Sequence, residues 1–186
     1  VTRLLDFARP KPIKFEPRNL QAILERALLL VENQLTKAGI RVATSFPADV
    51  RPVSGDEQQL HQVFLNLLLN AIDALKDREG QRQLHVTMVY ERAHLRRKWS
   101  PPQLDVPCAK VSISDTGCGI PGDVVEQVFT PFFTTKAHGS GLGLAVVHGI
   151  VTNHGGDIDV SSIPRVGTIF SVTLPLAAKS QEAPVP

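Results

Sequence analysis

Two glycine clusters, set in fixed order behind an apolar helix-like stretch, restrict the fold of this chain more than any other feature. Asp115-Thr116-Gly117-Cys118-Gly119-Ile120 closes a β-like run, and Gly139-Ser140-Gly141-Leu142-Gly143-Leu144 opens a helix-like one. Glycine lets the backbone turn tightly or approach a ligand closely. The second cluster also puts free amide groups at a helix N-terminus, where the dipole favours anions. It lacks the Lys-Ser/Thr ending of a P-loop, and its spacing is not the dinucleotide Gly-x-Gly-x-x-Gly. Upstream, Asn66 and Asn70 lie one turn apart in the apolar stretch and so share a face. Together these pieces describe a nucleotide pocket.

Each piece alone has a plainer reading. Two buried amides read first as core groups bonded to backbone, since an unpartnered one costs ~1–3 kcal/mol. An amide oxygen also suits Mg²⁺, which takes oxygen ligands and keeps several waters. Asp115 can accept from the exocyclic amine of adenine, or it can close a strand with an Asp-Thr-Gly turn. The second cluster alone can be a flexible hinge. Between the clusters lies Phe129-Thr130-Pro131-Phe132-Phe133-Thr134-Thr135-Lys136. Its aromatics can anchor a lid, and Thr134, Thr135 and Lys136 carry donors for phosphate. The combined order of the pieces is what carries weight.

Periodicity supplies the frame. Asn19 is a helix cap for a segment to about Lys37 with Leu20, Ile23, Leu24, Ala27, Leu28 and Val31 on one face, stopped by Gly39. Ile40 to Phe46 and Arg51 to Ser54 are expected as strands around a Pro47-Ala48-Asp49 turn. Asp56 opens a second helix to about Lys76. Leu84 to Tyr90 and Lys110 to Asp115 alternate as strands, and the segment from Glu91 to Pro107, basic and holding the single tryptophan, is expected to be a solvated hairpin insertion. A short helix is expected over Pro121 to Val128, a mobile loop over Phe129 to Ser140, and a helix over Leu142 to His154. A closing hairpin follows, Ile158 to Ser162 with Thr168 to Leu174. Strands not followed one by one by helices indicate an α+β two-layer sandwich, a mixed sheet covered on one face by about three helices.

The 186 residues suit one domain with short appendages. A net charge of +2 gives no case for nucleic acid or an anionic membrane. No apolar run approaches the ~18 residues of a membrane span. Two cysteines, Cys108 and Cys118, make neither a disulfide framework nor a metal pattern, which points to a reducing, cytoplasmic setting. Thr2 to Arg9 has the pattern of the last turns of a helix, ended by Pro10 and Pro12. Residues 1–12 are therefore expected to be the end of another domain plus a linker, 13–176 the main domain, and 177–186 a disordered tail.

The chain resembles the ATP-binding catalytic domain of bacterial sensor histidine kinases, in the Bergerat-fold superfamily that includes gyrase, Hsp90 and MutL ATPase domains. The segment from Gln62 to Ala71 resembles that family's asparagine box. Asp115 to Gly119 and Gly139 to Leu144 resemble its glycine boxes, Phe129 to Phe133 its phenylalanine box, and Gly167-Thr168 its last glycine-threonine element. Pro131 to Lys136 is most similar to nitrogen-regulator-type kinases. The resemblance implies ATP and Mg²⁺ as ligands, with Asn70 on the metal and Asp115 on the adenine amine. It implies a pocket formed by Ala71, Gly117, Gly119, Ile120 and Thr168, with Thr134, Ser140, Gly141, Leu142, Gly143 and Leu144 around the phosphates. Lys136, with Thr135 beside it, would neutralise charge during transfer.

The resemblance further implies a homodimeric parent, a dimerisation and histidine phosphotransfer domain as one partner, and the receiver domain of a response regulator as the other. No acceptor motif surrounds any of the six histidines, so this chain alone is not expected to phosphorylate itself. Thr2 to Arg9 resembles the tail of the dimerisation domain's second helix. Hydrolytic relatives carry glutamate where Asn66 stands, and an amide cannot take a proton from water. That argues for phosphoryl transfer over a gyrase- or Hsp90-type hydrolytic switch, and the intact Asp115 and Asn70 argue against a degenerate partner-docking module. Many sensor kinases carry a cation where this chain has Asp73, which leaves Lys76 as a candidate substitute.

Overall fold

The computed structural model describes residues 14–76, 78, 80–95, 103–135 and 139–177. Strand β1 (Glu16–Arg18) leads into helix α1 (Leu20–Lys37), then β2 (Arg41–Ser45), β3 (Val53–Gly55) and helix α2 (Glu57–Lys76). The long strands β4 (Gln83–Leu95) and β5 (Gln103–Asp115) follow, then helix α3 (Gly143–Asn153) and the hairpin β6 (Asp157–Ile163) and β7 (Gly167–Pro175). A five-stranded mixed sheet runs in the order β2-β4-β5-β7-β6, with β2 parallel to β4 and the other pairs antiparallel. Strands β1 and β3 pair apart from it.

The helices begin where local chemistry starts them. The Asn19 side-chain oxygen accepts from the amides of Gln21 and Ala22, and Asp56 Oδ1 accepts from Gln58 and Gln59. Each oxygen satisfies donors the first turn leaves open. Gly39 takes φ +64° just past α1. The apolar stripes of α1 and α2 meet at buried Leu24, Ala27, Val31, Phe64, Leu67 and Leu68, over Leu84, Val86, Val111, Ile113, Phe170 and Val172 of the sheet. Helix α3 joins the same cluster through Val147, Ile150 and Val151, so the three described helices cover one face.

Three local expectations need correction. Strands β2 and β3 do not form a hairpin: β2 lies beside β4, and β3 pairs with β1. Their partners are distant in sequence, so no turn signal could assign them. The expected hairpin is present, but where described its arms are paired strand rather than loop, with Glu91 opposite Cys108, Arg92 opposite Pro107 and Leu95 opposite Gln103. Charge and proline hid the alternation there. Over Pro121 to Val128 the sole helical piece is a 3₁₀ turn at Val125–Gln127. The readings of residues 1–12 as a helix end with linker and of 177–186 as a disordered tail lie outside the described residues, except for Ala177, whose amide donates to the Pro52 carbonyl at 2.8 Å.

One histidine acts as a pin. His154, at the end of α3, is 4% exposed. Its Nδ1 donates to the Ile150 carbonyl at 2.8 Å, and its Nε2 accepts from the Asp56 amide at 3.0 Å. The neutral ring therefore joins the end of α3 to the start of α2, with Phe15 packed on it at 4.9 Å. Burial pushes its pKa below the usual imidazole value, against the Ile150 carbonyl and the Asp56 charge. The unfolded chain then takes up this proton first, so stability drains away as pH falls below about 6.5 towards the lowered folded value. In urea melts at about pH 7.5 and about pH 5.5, the wild type is expected to lose more stability on acidification than His154→Gln. Equal losses would show that this ring is not the linked group.

Candidate functional site: a cleft along the second helix

Helix α2 carries one wall. Asn66 and Asn70 are half-buried on the same face, and Ala71 beside Asn70 is buried. Asn66 Nδ2 donates to the Gly143 carbonyl at 3.4 Å, which connects this wall to the second glycine cluster. Two turns on, about 12 Å along the axis, the Ala74 carbonyl accepts from the Cys118 amide at 3.2 Å. The two glycine clusters therefore flank α2 at opposite ends of one stretch, far enough apart for a base at one end and phosphates at the other.

The end at the first glycine cluster is tightly built. Asp115 ends β5 opposite Thr168 of β7, and both side chains are buried. Asp115 Oδ1 accepts from the Gly117 amide at 2.8 Å. Burial raises the carboxyl's pKa, while the Gly117 and Thr168 amides and the Arg78 charge pull the other way. A Cβ on Gly117 would lie 2.6 Å from Asp115 Oδ1 and 2.7 Å from the Ala74 carbonyl oxygen. Gly119, at φ +69°, sits so close to the next hairpin that a Cβ would be 2.2 Å from the Ile163 oxygen. The Ile120 amide donates to Ser162 Oγ at 2.7 Å, and Ser162 Oγ also meets Thr168 Oγ1 at 3.0 Å.

The other end is more open. Gly141, at φ +67°, packs against Phe132, whose amide donates to the Gly141 carbonyl at 3.0 Å. Nothing stands within 4 Å of a Cβ on Gly143, the first residue of α3. Among the described residues no side chain caps the start of α3 at Leu142, and a helix start of this kind suits an anion. Leu144 is half-buried, and Ser140, Thr134 and Thr135 are exposed. Phe129 packs on His148 and Phe170, seating the base of the loop on α3 and β7, whereas Phe132 is 74% exposed. Lys136 lies outside the described residues. Lys76 is paired with Asp73 at 2.7 Å, so its ammonium sits on that carboxylate rather than at the second glycine cluster.

A family model described as histidine kinase-, DNA gyrase B-, and HSP90-like ATPase matches residues 55–178. The chain belongs to this ATPase family. Its curated relatives include the signal transduction histidine-protein kinase AtoS of Escherichia coli strain K12, 34% identical over 95% of this chain and 26% of the relative. The sensory histidine kinase/phosphatase NtrB of Azospirillum brasilense is 34% identical over 97% of this chain and 44% of the relative. The chain thus spans well under half the length of these relatives. Among solved structures, the catalytic domain of histidine kinase ThkA matches with a TM-score of 0.69 and 27% identity, covering 87% of this chain and 97% of that one. ThkA in complex with the response regulator TrrA matches in fold, with a TM-score of 0.69 at 24% identity, over 97% of this chain and 47% of that one.

Within the ATPase family the likeness is thus to sensor histidine kinase catalytic domains, and the α+β sandwich expected from sequence is theirs. Two members of the site gave no signal. Ser162 is an ordinary strand serine by sequence, yet it joins Ile120, Gly167 and Thr168. Arg78 stands in a charged run after α2 that has the look of a solvated surface, yet it lies against the first glycine turn. A cavity of about 910 Å³ lies elsewhere, lined among others by Arg18, Arg26, Glu57 and His61. Its arginines are already paired with Glu57, and neither glycine cluster lines it.

Proposed function

We propose that this catalytic domain binds Mg·ATP along α2 and passes the γ-phosphate to a histidine on a dimerisation domain of the same parent protein, for relay to an aspartate of a response regulator. The observation that carries the base end is the buried Asp115 carboxylate. One oxygen is fixed by the Gly117 amide, and the carboxylate retains further acceptor capacity for an adenine amine. Gly117, Gly119 and Thr168 shape the slot beneath the base. Gly141, Gly143 and the start of α3 would receive the phosphates, with Thr134, Thr135 and Lys136 closing from the lid.

Asn70 would hold Mg²⁺ through its amide oxygen. Among the described residues no cluster of three or more His, Cys, Asp or Glu offers an all-protein cage. That donor set suits an ion bound mainly by phosphate oxygens and water. When bound, Mg²⁺ would offset charge on the phosphates. The protein's own share is positioning. Asn66 holds α2 to the second glycine cluster, and Asp115 fixes the base. Asn66 accepts no proton from water, which keeps hydrolysis slow beside transfer. The response regulator partner rests on the ThkA–TrrA precedent.

The test is calorimetric titration of ATP with and without Mg²⁺, followed by addition of the parent's dimerisation domain as a separate chain. Mg²⁺ is expected to tighten binding, and the acceptor histidine to become labelled. Asn70→Ala is expected to remove both the Mg²⁺ effect and the labelling. A chain that binds no ATP in the presence of Mg²⁺ would sink the proposal.

A further inference from the structure

Arg78 follows α2, and its guanidinium lies against the first glycine turn. Its NH1 nitrogen lies against four backbone carbonyls: Thr116, Gly117 at 3.0 Å, Arg165 at 3.2 Å and Val166 at 3.2 Å. Two belong to the turn after β5, and two to the turn between β6 and β7. One guanidinium NH₂ carries two protons, so both are shared between carbonyls. Hydrogen bonds from a cation are roughly twice as strong as neutral ones.

The same two turns also meet directly. The Arg165 amide donates to the Cys118 carbonyl at 2.7 Å, and the Cys118 amide donates to Ala74 of α2. Three elements therefore converge on the stretch that begins with Asp115. The two carbonyls after Asp115 are those Arg78 holds on the β5 side. A shift of that turn would move the Gly117 amide that fixes Asp115 Oδ1.

We propose that Arg78 is a positioning residue of the nucleotide site, clasping the two turns so that Asp115 meets the adenine amine in a single orientation. The inference rests on the reading of Asp115 as the base acceptor. Arg78 acts through the turn rather than on the nucleotide. Its charge also favours the ionised carboxylate, whose other recorded partners, on β7 and in the turn, are the Thr168 and Gly117 amides.

The test uses Arg78→Gln and Arg78→Lys in the whole chain. ADP affinity is measured by calorimetry, folding by thermal melt, and the Asp115 titration by carboxyl carbon NMR without nucleotide. Arg78→Gln is expected to weaken ADP about tenfold and to move the Asp115 titration to higher pH. Arg78→Lys, which keeps the charge but not the guanidinium's shared contacts, is expected to keep the titration near wild type and to weaken ADP severalfold, less than Arg78→Gln. A folded Arg78→Gln with wild-type affinity and an unmoved titration would overturn the inference. So would equal loss of affinity in both variants with an unmoved titration, since that marks a merely structural side chain. If Arg78→Gln does not fold, Arg78→Lys decides: a severalfold weaker ADP affinity supports the clasp, and an unchanged one overturns it. A wild type that binds no ADP would defeat the nucleotide reading instead, and the ligand-free Asp115 titration would still test the clasp.

Discussion

Asp115→Asn is expected to weaken Mg·ATP binding about 100-fold, the upper part of what one charge-assisted hydrogen bond supplies. The argument rests on donors and acceptors. Asp115 Oδ1 already serves the Gly117 amide. An asparagine must keep its single oxygen there, which turns its NH₂ towards the adenine amine and sets two donors face to face. The fold is expected to survive. Burial already disfavours the charged form of Asp115, whose pKa is raised, so removing that charge takes away a cost. Calorimetry with a parallel thermal melt checks both halves, and unchanged affinity would remove Asp115 from the base site. The same raised pKa gives a direction in pH. Wild-type affinity declines on acidification as the carboxyl takes up a proton, and it declines earlier than for an ordinary aspartate.

Gly167→Ala is expected to be the most damaging small substitution for stability, at about 3 kcal/mol or more. Gly167 has φ +150°, and a Cβ would lie 2.0 Å from the Asp115 carbonyl oxygen and 3.1 Å from Thr116 Cα. These atoms are backbone within a paired sheet, so no side-chain rotation can relieve the contact. The strand must slide, and Asp115 slides with it. Urea unfolding together with ATP titration should show both losses. Gly143→Ala is the control for stability alone, because the space around that position is open. Stability near wild type in Gly167→Ala would show that the turn yields more readily than its packing indicates.

Much of this architecture could be read from residues because the causes are local. Asn19 and Asp56 announce their helices through the side-chain oxygens that cap them. The stripes of α1 and α2 repeat with the period of the helix that buries them. Asp115 falls at a strand end because the alternation from Lys110 stops at Gly117. The missed features depend on groups far apart in sequence. Strand β2 has no local sign of its parallel partner, and all five of its residues are exposed. Arg78 is distinguished by the carbonyls of residues 116–117 and 165–166, which only the folded sheet brings together. The second glycine cluster has the look of a unit in sequence, yet its residues differ: Gly141 is held against Phe132, while Gly143 is sterically free.

Strand β5 leaves its neighbours part-way along. Pairing with β7 begins at Cys108, and Leu176 reaches Pro107, but farther out, among the described residues, β4 and β5 pair only with each other. Arg92 and Asp105 bridge that free ribbon at 2.8 Å. Asp115 lies at the opposite end, about 33 Å away along an extended strand of ten further residues. One strand therefore has two ends with opposite tolerance. At the ribbon, the Arg92 and Asp105 side chains are exposed, so a dye attached there is expected to leave the proposed nucleotide contacts undisturbed. At the Asp115 end, even a methyl group displaces backbone.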